Sequence, residues 1–269
     1  MSLLVLIVIF TAIGGVLSVL AASLFLWLPE PQRTQVLPHG ISFAIGALLA
    51  VAFWGLIPHA FESVAPQQIQ MLSATIMIGV IGFFVLEKLL IWRHCHAISC
   101  EAHGEDAHHH DHEQHAPDHH HAAGTLIILG DAIHNFVDGV LIAAAFLTDT
   151  QLGIVTSLAV AAHEIPQEVG DFAILLQSGY SRAKALFYNV LSSFTTVLGG
   201  VLAYFSLNDV QQWLPYLLAL AASSFIYIAV ADLIPSLHKK TDTKTSLQQI
   251  ALIVAGMVLI CLLHNWAHR

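Results

Sequence analysis

The sequence predicts an all-α polytopic membrane protein of eight transmembrane helices with inverted-repeat character and both termini outside. Three observations carry that reading: composition, eight long apolar runs, and the one-sided placement of the basic residues. The 269 residues are 57% hydrophobic and only 10% charged, with a mean hydropathy of +0.74, whereas soluble domains carry roughly 25% charge. Counting soluble domains by length therefore does not apply, and residues 1–269 read as a single transmembrane domain.

Taken in order, the apolar runs cover about residues 3–28, 39–61, 71–92, 124–147, 152–176, 183–206, 211–235 and 247–266. Each is long enough for a hydrocarbon core of about 30 Å at about 1.5 Å per helical residue. Only helices and closed barrels satisfy their backbone in lipid, and continuous runs of this length favour helices. The first run is too long for a signal-peptide core of about 7–15 residues and has no basic residue ahead of it, so it reads as a span. Pro58, Pro166 and Pro235 lie within or near the ends of spans and predict kinks. Arg33, Lys88, Arg93, Arg182, Lys184, Lys239, Lys240 and Lys244, eight of the nine basic residues, follow or end spans 1, 3, 5 and 7. The positive-inside rule puts those loops in the cytoplasm. Leu56-Ile57-Pro58 in span 2 recurs as Leu233-Ile234-Pro235 in span 7, whose direction is opposite, as in inverted repeats.

Residues 94–123 predict a cytoplasmic loop between spans 3 and 4. Eleven of the 18 histidines fall here: His94, His96, His103, His108, His109, His110, His112, His115, His119, His120 and His121, interleaved with acids. With almost no aliphatic residues the segment cannot build a core, and its chemistry suits exchangeable metal binding, with Cys95 and Cys100 as softer ligands. Three cysteines make no disulfide framework, and nine scattered basic residues exclude a nucleic-acid surface.

Two polar strings interrupt apolar spans: His134-Asn135-Phe136-Val137-Asp138-Gly139 in span 4 and His163-Glu164-Ile165-Pro166-Gln167-Glu168 in span 5. An Asp at the centre of a membrane helix costs roughly 2.5–3.5 kcal/mol. Asp131, Asp138, Glu164, Glu168 and Asp171 thus cost on the order of 10 kcal/mol or more before pairing. Two imidazoles beside several carboxylates make a divalent cation the simplest compensating partner. On a helix, Asp131, His134, Asn135 and Asp138 share one face; His163, Glu164, Gln167 and Asp171 share another, with Glu168 at its edge. The short turn between the two spans packs those faces together. His134, Asn135, Asp138, His163, Glu164, Gln167 and Glu168 are the candidate metal ligands. Asp131, Asp171, His59 and Asp232 are candidates for a supporting shell or the path, and Gly139 and Gly170 for close helix approach. A zinc-hydrolase reading of His163-Glu164-x-x fails on Gln167, which stands where a second histidine would be needed, and on Pro166 between them. No catalytic cofactor is called for, and the chain reads as a non-enzyme.

These strings, the eight spans and the histidine-rich loop resemble the ZIP (Zrt/Irt-like) family of divalent-metal transporters, in the branch with a His-Glu-x-Pro-His-Glu signature. The resemblance implies Zn²⁺ import into the cytoplasm, with Fe²⁺, Mn²⁺ or Cd²⁺ as further cargo. It implies His134, Asp138 and His163 as core ligands, and Asn135 and Glu164 at positions that form an adjoining site in some members. Gln167 replaces the branch histidine, which predicts weaker Zn²⁺ affinity. The compact length and the lack of a targeting peptide predict a bacterial inner membrane; the lipid bilayer and the metal are the expected partners, and a homodimer is left open.

Overall fold

The computed structural model describes residues 2–97, 118–207, 211–237 and 243–267, and they are helical throughout apart from short connections. Eight long helical segments are present among them: α1 (Leu3–Phe25), α2 (Pro31–Glu62), α3 (Ile69–Ala97), α4 (Asp118–Thr148), α5 (Thr150–Gln177), α6 (Arg182–Leu207), α7 (Gln211–Leu237) and α8 (Thr243–Ala267). Among the described residues, seven helices are long and apolar enough to cross a membrane. The helix outside that set is α5, at 28 residues long enough but carrying the second polar string. The protein is multi-pass, and its long helices expose large apolar side chains, as lipid-facing surfaces do. Met77, Ile81 and Phe84 on α3, Phe187, Phe194 and Phe205 on α6, and Ile250, Val254 and Val258 on α8 are examples.

Helix ends differ from the expected boundaries. The helix α2 begins well before residue 39 and runs through Pro38. The histidine-rich segment narrows from both sides, because α3 continues to Ala97 and α4 already starts at Asp118. His94, His96, His119, His120 and His121 thus fall within helices, while His103, His108, His109, His110, His112 and His115 lie outside the described residues.

The two Leu-Ile-Pro strings share a local structure. A π-helical turn over Val51–Leu56 precedes Pro58 in α2, and another over Ile228–Leu233 precedes Pro235 in α7. A proline cannot donate to the carbonyl four residues back and its ring crowds that carbonyl, so the wider π turn accommodates both defects. A third π turn, Ile13–Leu17, has no proline and sits at a Gly-Gly pair in α1. In α5, Pro166 is carried inside one continuous α-helix.

Small residues set the tightest helix crossings. A Cβ placed at Gly139 of α4 would lie 1.9 Å from the backbone oxygen of Thr196 in α6, and one at Gly199 would lie 2.2 Å from that of Phe136. The same reciprocal contact joins Gly46 of α2 (2.0 Å from the Ile253 oxygen) and Gly256 of α8 (2.3 Å from the Phe43 oxygen). Lipid tails give no hydrophobic drive for helices to associate, so such backbone proximity supplies the packing. Gly170, expected to act the same way, has nothing within 4 Å of its Cβ position. It is on the exposed side of α5.

Candidate metal centre

The helices α4 and α5 are separated by Asp149 alone, whose carboxylate caps α5 by accepting from the amides of Gln151 and Leu152, both at 2.9 Å. This connection fixes an antiparallel pair, and it brings four side chains into one group: His134 and Asp138 from α4, His163 and Glu164 from α5. His134 Nε2 lies 3.3 Å from Glu164 Oε1 and 3.8 Å from Asp138 Oδ2; His163 Nε2 lies 3.3 Å from Asp138 Oδ2 and 3.5 Å from Glu164 Oε1. Zn–N and Zn–O bonds of about 2.1 Å would place the ligand atoms of a tetrahedron about 3.4 Å apart. Nitrogens and oxygens alternate around the ring, whose four edges of 3.3–3.8 Å lie close to that spacing.

None of these atoms has a hydrogen bond among the described residues. His134 Nε2, both oxygens of Asp138, His163 Nε2 and both oxygens of Glu164 are buried without a hydrogen bond. Asp138, His163 and Glu164 are sealed from solvent, and His134 retains a quarter of its side-chain surface, which makes it the accessible edge of the group. Neither α4 nor α5 contains a Lys or Arg. The negative charge has no fixed cationic partner on these helices, and leaving it uncompensated in a membrane interior is costly.

The orientation of His163 follows from its own helix. Its Nδ1 is 3.2 Å from the Ala159 carbonyl oxygen. A carbonyl only accepts, so this bond puts the proton on Nδ1 and leaves the Nε2 lone pair facing the group. Phe225 of α7 covers the ring, with centroids 6.2 Å apart, and the His134 and His163 rings meet edge-on at 5.7 Å.

A third helix holds the surroundings. On α6, Ser192 donates to Asp131 Oδ2, Ser193 to Glu168 Oε1 at 2.8 Å, and Thr196 to Asn135 Oδ1 at 2.7 Å. The Asn135 amide nitrogen in turn donates to Asp131 Oδ1 at 2.8 Å. The polar atoms of Asn135 are thus engaged between α4 and α6. Sequence reasoning missed Ser192, Ser193 and Thr196, although they were detectable: with Asn189 they form a buried polar stripe at helical spacing on an otherwise apolar span. Hydroxyls are too common in membrane helices for that stripe to stand out before its partners are known.

The other predicted residues are placed as follows. Asp131 and Glu168 join Glu164 in a second group of carboxylates. Gln167 and Asp171 are half-buried on α5. His59 is on α2, with Nδ1 2.9 Å from the Gly55 carbonyl oxygen and its ring edge-on to His264 of α8 at 5.6 Å. Asp232 is exposed on the π turn of α7. Neither of these last two belongs to a potential metal-holding group among the described residues.

The family description "ZIP Zinc transporter" matches residues 91–264, which contain the whole of this centre. The chain belongs to the ZIP family. As a ZIP chain it is 32% identical over 238 residues to "Zinc transporter ZIP13" of Pongo abelii, a match covering 82% of this chain and 65% of that protein. It is 42% identical over 139 residues to "Zinc transporter foi" of Drosophila melanogaster, covering 51% and 19% respectively, and 40% identical over 119 residues to "Zinc transporter ZIP4" of Homo sapiens, covering 44% and 18%. The chain therefore spans about two thirds of the length of the first relative and a fifth or less of the other two. The family expected from the polar strings is borne out, and it is a family of membrane transporters.

Proposed function

We propose that this ZIP-family chain transports divalent metal, zinc foremost, into the cytoplasm through the centre between α4 and α5. The observation that carries the proposal is the ring of four buried donor atoms, 3.3–3.8 Å apart along its edges and without a hydrogen bond among the described residues. His134, Asp138, His163 and Glu164 are the ligands in this reading; the names of the relatives support zinc as the cargo. Iron, manganese and cadmium are alternative cargo that an N/O ligand set accepts. The helix α5 serves as the eighth span: 28 residues extend about 42 Å, and its polar face is shielded by its packing against α1, α2, α4 and α6. Eight spans with the basic loops in the cytoplasm leave both termini outside. The paired π turns of α2 and α7 favour the inverted repeat, and transport proceeds by exposing the centre to each side in turn. The site of action is a cell membrane; the relatives are animal proteins and lend no support to a bacterial inner membrane. The direct test is uptake by purified protein in liposomes, comparing Zn²⁺, Fe²⁺, Mn²⁺ and Cd²⁺. Absence of metal-dependent uptake from correctly inserted protein would refute the reading.

The histidine-rich segment should tune transport rather than enable it. Deleting residues 101–117 stops short of α4 and removes none of the centre's ligands. We expect the variant to insert and transport while binding fewer Zn²⁺ per protein in equilibrium dialysis. Loss of uptake at normal protein levels would make the segment part of the path.

Gln167 lies one helical turn after His163 and is half-buried on the same helix. Its amide oxygen is a weaker and harder donor than imidazole. Gln167→His is expected to tighten Zn²⁺ binding about tenfold, to shift competition away from Mn²⁺, and to slow release. Calorimetry and competition uptake on the two proteins check this; unchanged affinity and selectivity would place residue 167 away from the metal.

A further inference from the structure

One turn of α6 braces both helices of the centre. Thr196 donates to Asn135 Oδ1 of α4 at 2.7 Å, next to the ligand His134. Ser193 donates to Glu168 Oε1 of α5 at 2.8 Å, one turn after the ligand Glu164. Both hydroxyl residues are sealed from solvent, at 0% exposure. Because each bond ends beside a ligand, the turn from Ser193 to Thr196 holds α4 and α5 at a fixed separation. That separation determines the edges of the donor ring, which run between the two helices.

The same turn meets α1. A Cβ placed at Gly15 would lie 2.6 Å from the Ser193 backbone oxygen, 2.6 Å from Thr196 Oγ1 and 3.0 Å from Thr196 Cβ. Gly15 is buried in the π turn Ile13–Leu17, beside Gly14. Each glycine is less favourable in a helix than alanine, so an adjacent pair costs the span stability unless close approach requires it. Ser18 compensates for the widened turn by donating to the Gly14 carbonyl oxygen at 2.7 Å and to that of Ile13 at 3.2 Å. Single π turns inside α-helices frequently mark functional sites. Gly14 meets side chains instead of backbone: Ile142 Cδ1 of α4 and Val160 Cγ1 of α5, each 3.3 Å from its Cβ position.

We infer that Thr196, backed by Gly15 of α1, is a positioning residue that sets the donor spacing of the centre and so its preference for zinc over larger divalent ions such as Cd²⁺. The inference rests on the transport reading above and adds to it a helix that supplies no ligand. A helical threonine has two accessible rotamers, because its hydroxyl can also bond a carbonyl three or four residues back on its own helix. At position 196 those carbonyls belong to Ser193 and Ser192, and a hydroxyl turned towards them would release Asn135 and with it α4. The Gly15 backbone packs against Thr196 Oγ1 and keeps it in the orientation that reaches Asn135. A methyl at position 15 would displace that oxygen, and the Ser193 oxygen beside it is backbone, which cannot rotate away. With the brace lost, α4 and α5 can part and the ring accepts a wider ion. Selection among cations of equal charge depends on cavity size and rigidity.

The test is Zn²⁺ and Cd²⁺ uptake in liposomes, measured as initial rates over a concentration series, with a thermal scan of each protein. The proteins are the parent chain, Thr196→Val, Thr196→Ser, Gly15→Ala and Gly14→Ala. Thr196→Val keeps the branched shape and removes the donor. It should raise the Zn²⁺ KM about tenfold and the Cd²⁺ KM by less, with the maximal rate per inserted protein near the parental value. Thr196→Ser retains the hydroxyl and should restore both KM values. Gly15→Ala should show the same zinc-selective rise, and Gly14→Ala should leave both KM values unchanged. A merely structural role would lower stability and both maximal rates alike without moving the ratio of the two KM values. A parental ratio in Thr196→Val, a Thr196→Ser protein as impaired as Thr196→Val, or equal effects of Gly14→Ala and Gly15→Ala would each overturn the inference. If Gly15→Ala fails to fold, the two Thr196 variants decide. A parent protein without metal-dependent uptake would instead overturn the transport reading, and this inference with it.

Discussion

Replacing His134 and Asp138 together with alanine is expected to reduce metal uptake to the level of empty liposomes while leaving the protein inserted and folded. These are the two α4 members of the ring, opposite His163 and Glu164 at 3.3 Å each. Removing both leaves one imidazole and one carboxylate, half a tetrahedral set, and forfeits the geometry that lets a dehydrated ion be held in the membrane. Insertion should not suffer, because taking a carboxylate and an imidazole out of a span lowers its cost by several kcal/mol. The measurement is Zn²⁺ uptake normalised to protein recovered in the membrane, with a thermal-stability scan of the purified variant. Near-parental uptake by a well-folded double variant would dismiss the ring as the transport site.

The second large effect is structural. Gly139→Ala should destabilise the protein by about 3 kcal/mol or more, at the upper end of overpacking substitutions. The added methyl would sit 1.9 Å from the Thr196 carbonyl oxygen, and a backbone atom in the middle of a helix cannot rotate away as a side chain can. The damage would reach the centre, because Gly139 follows Asp138 directly and Thr196 is the residue that holds Asn135. Gly170→Ala is the control. With nothing within 4 Å of its Cβ position, it should be neutral or slightly stabilising, since alanine is the better helix former by about 1 kcal/mol. Thermal denaturation of the two variants beside the parent tests the contrast. Equal losses at both positions would show that α4 and α6 do not approach as closely as described.

The sequence by itself determined the class of the protein and named the residues of its candidate centre. Helices were legible because lipid forces each span to satisfy its own backbone, leaving long apolar runs unmistakable. His134, Asp138, His163 and Glu164 were legible for the opposite reason: polar groups that expensive in such runs require a partner. Only the tertiary structure decided how those groups divide. A helical face of about 100° admits all the candidate ligands together, so sequence spacing could not distinguish Asn135, engaged with α6, from Glu164, unpartnered at both oxygens. The hydroxyls of Ser192, Ser193 and Thr196 come from a helix about 60 residues beyond α4 residues such as Asp131, and no local pattern encodes that pairing. The two glycines make the same point: Gly139 and Gly170 are equivalent in sequence, yet one meets a neighbouring backbone and the other open space. Side-chain cost is a property of the span, readable along the chain; which atoms meet is a property of helix rotation and approach, and those are set by packing among segments distant in sequence.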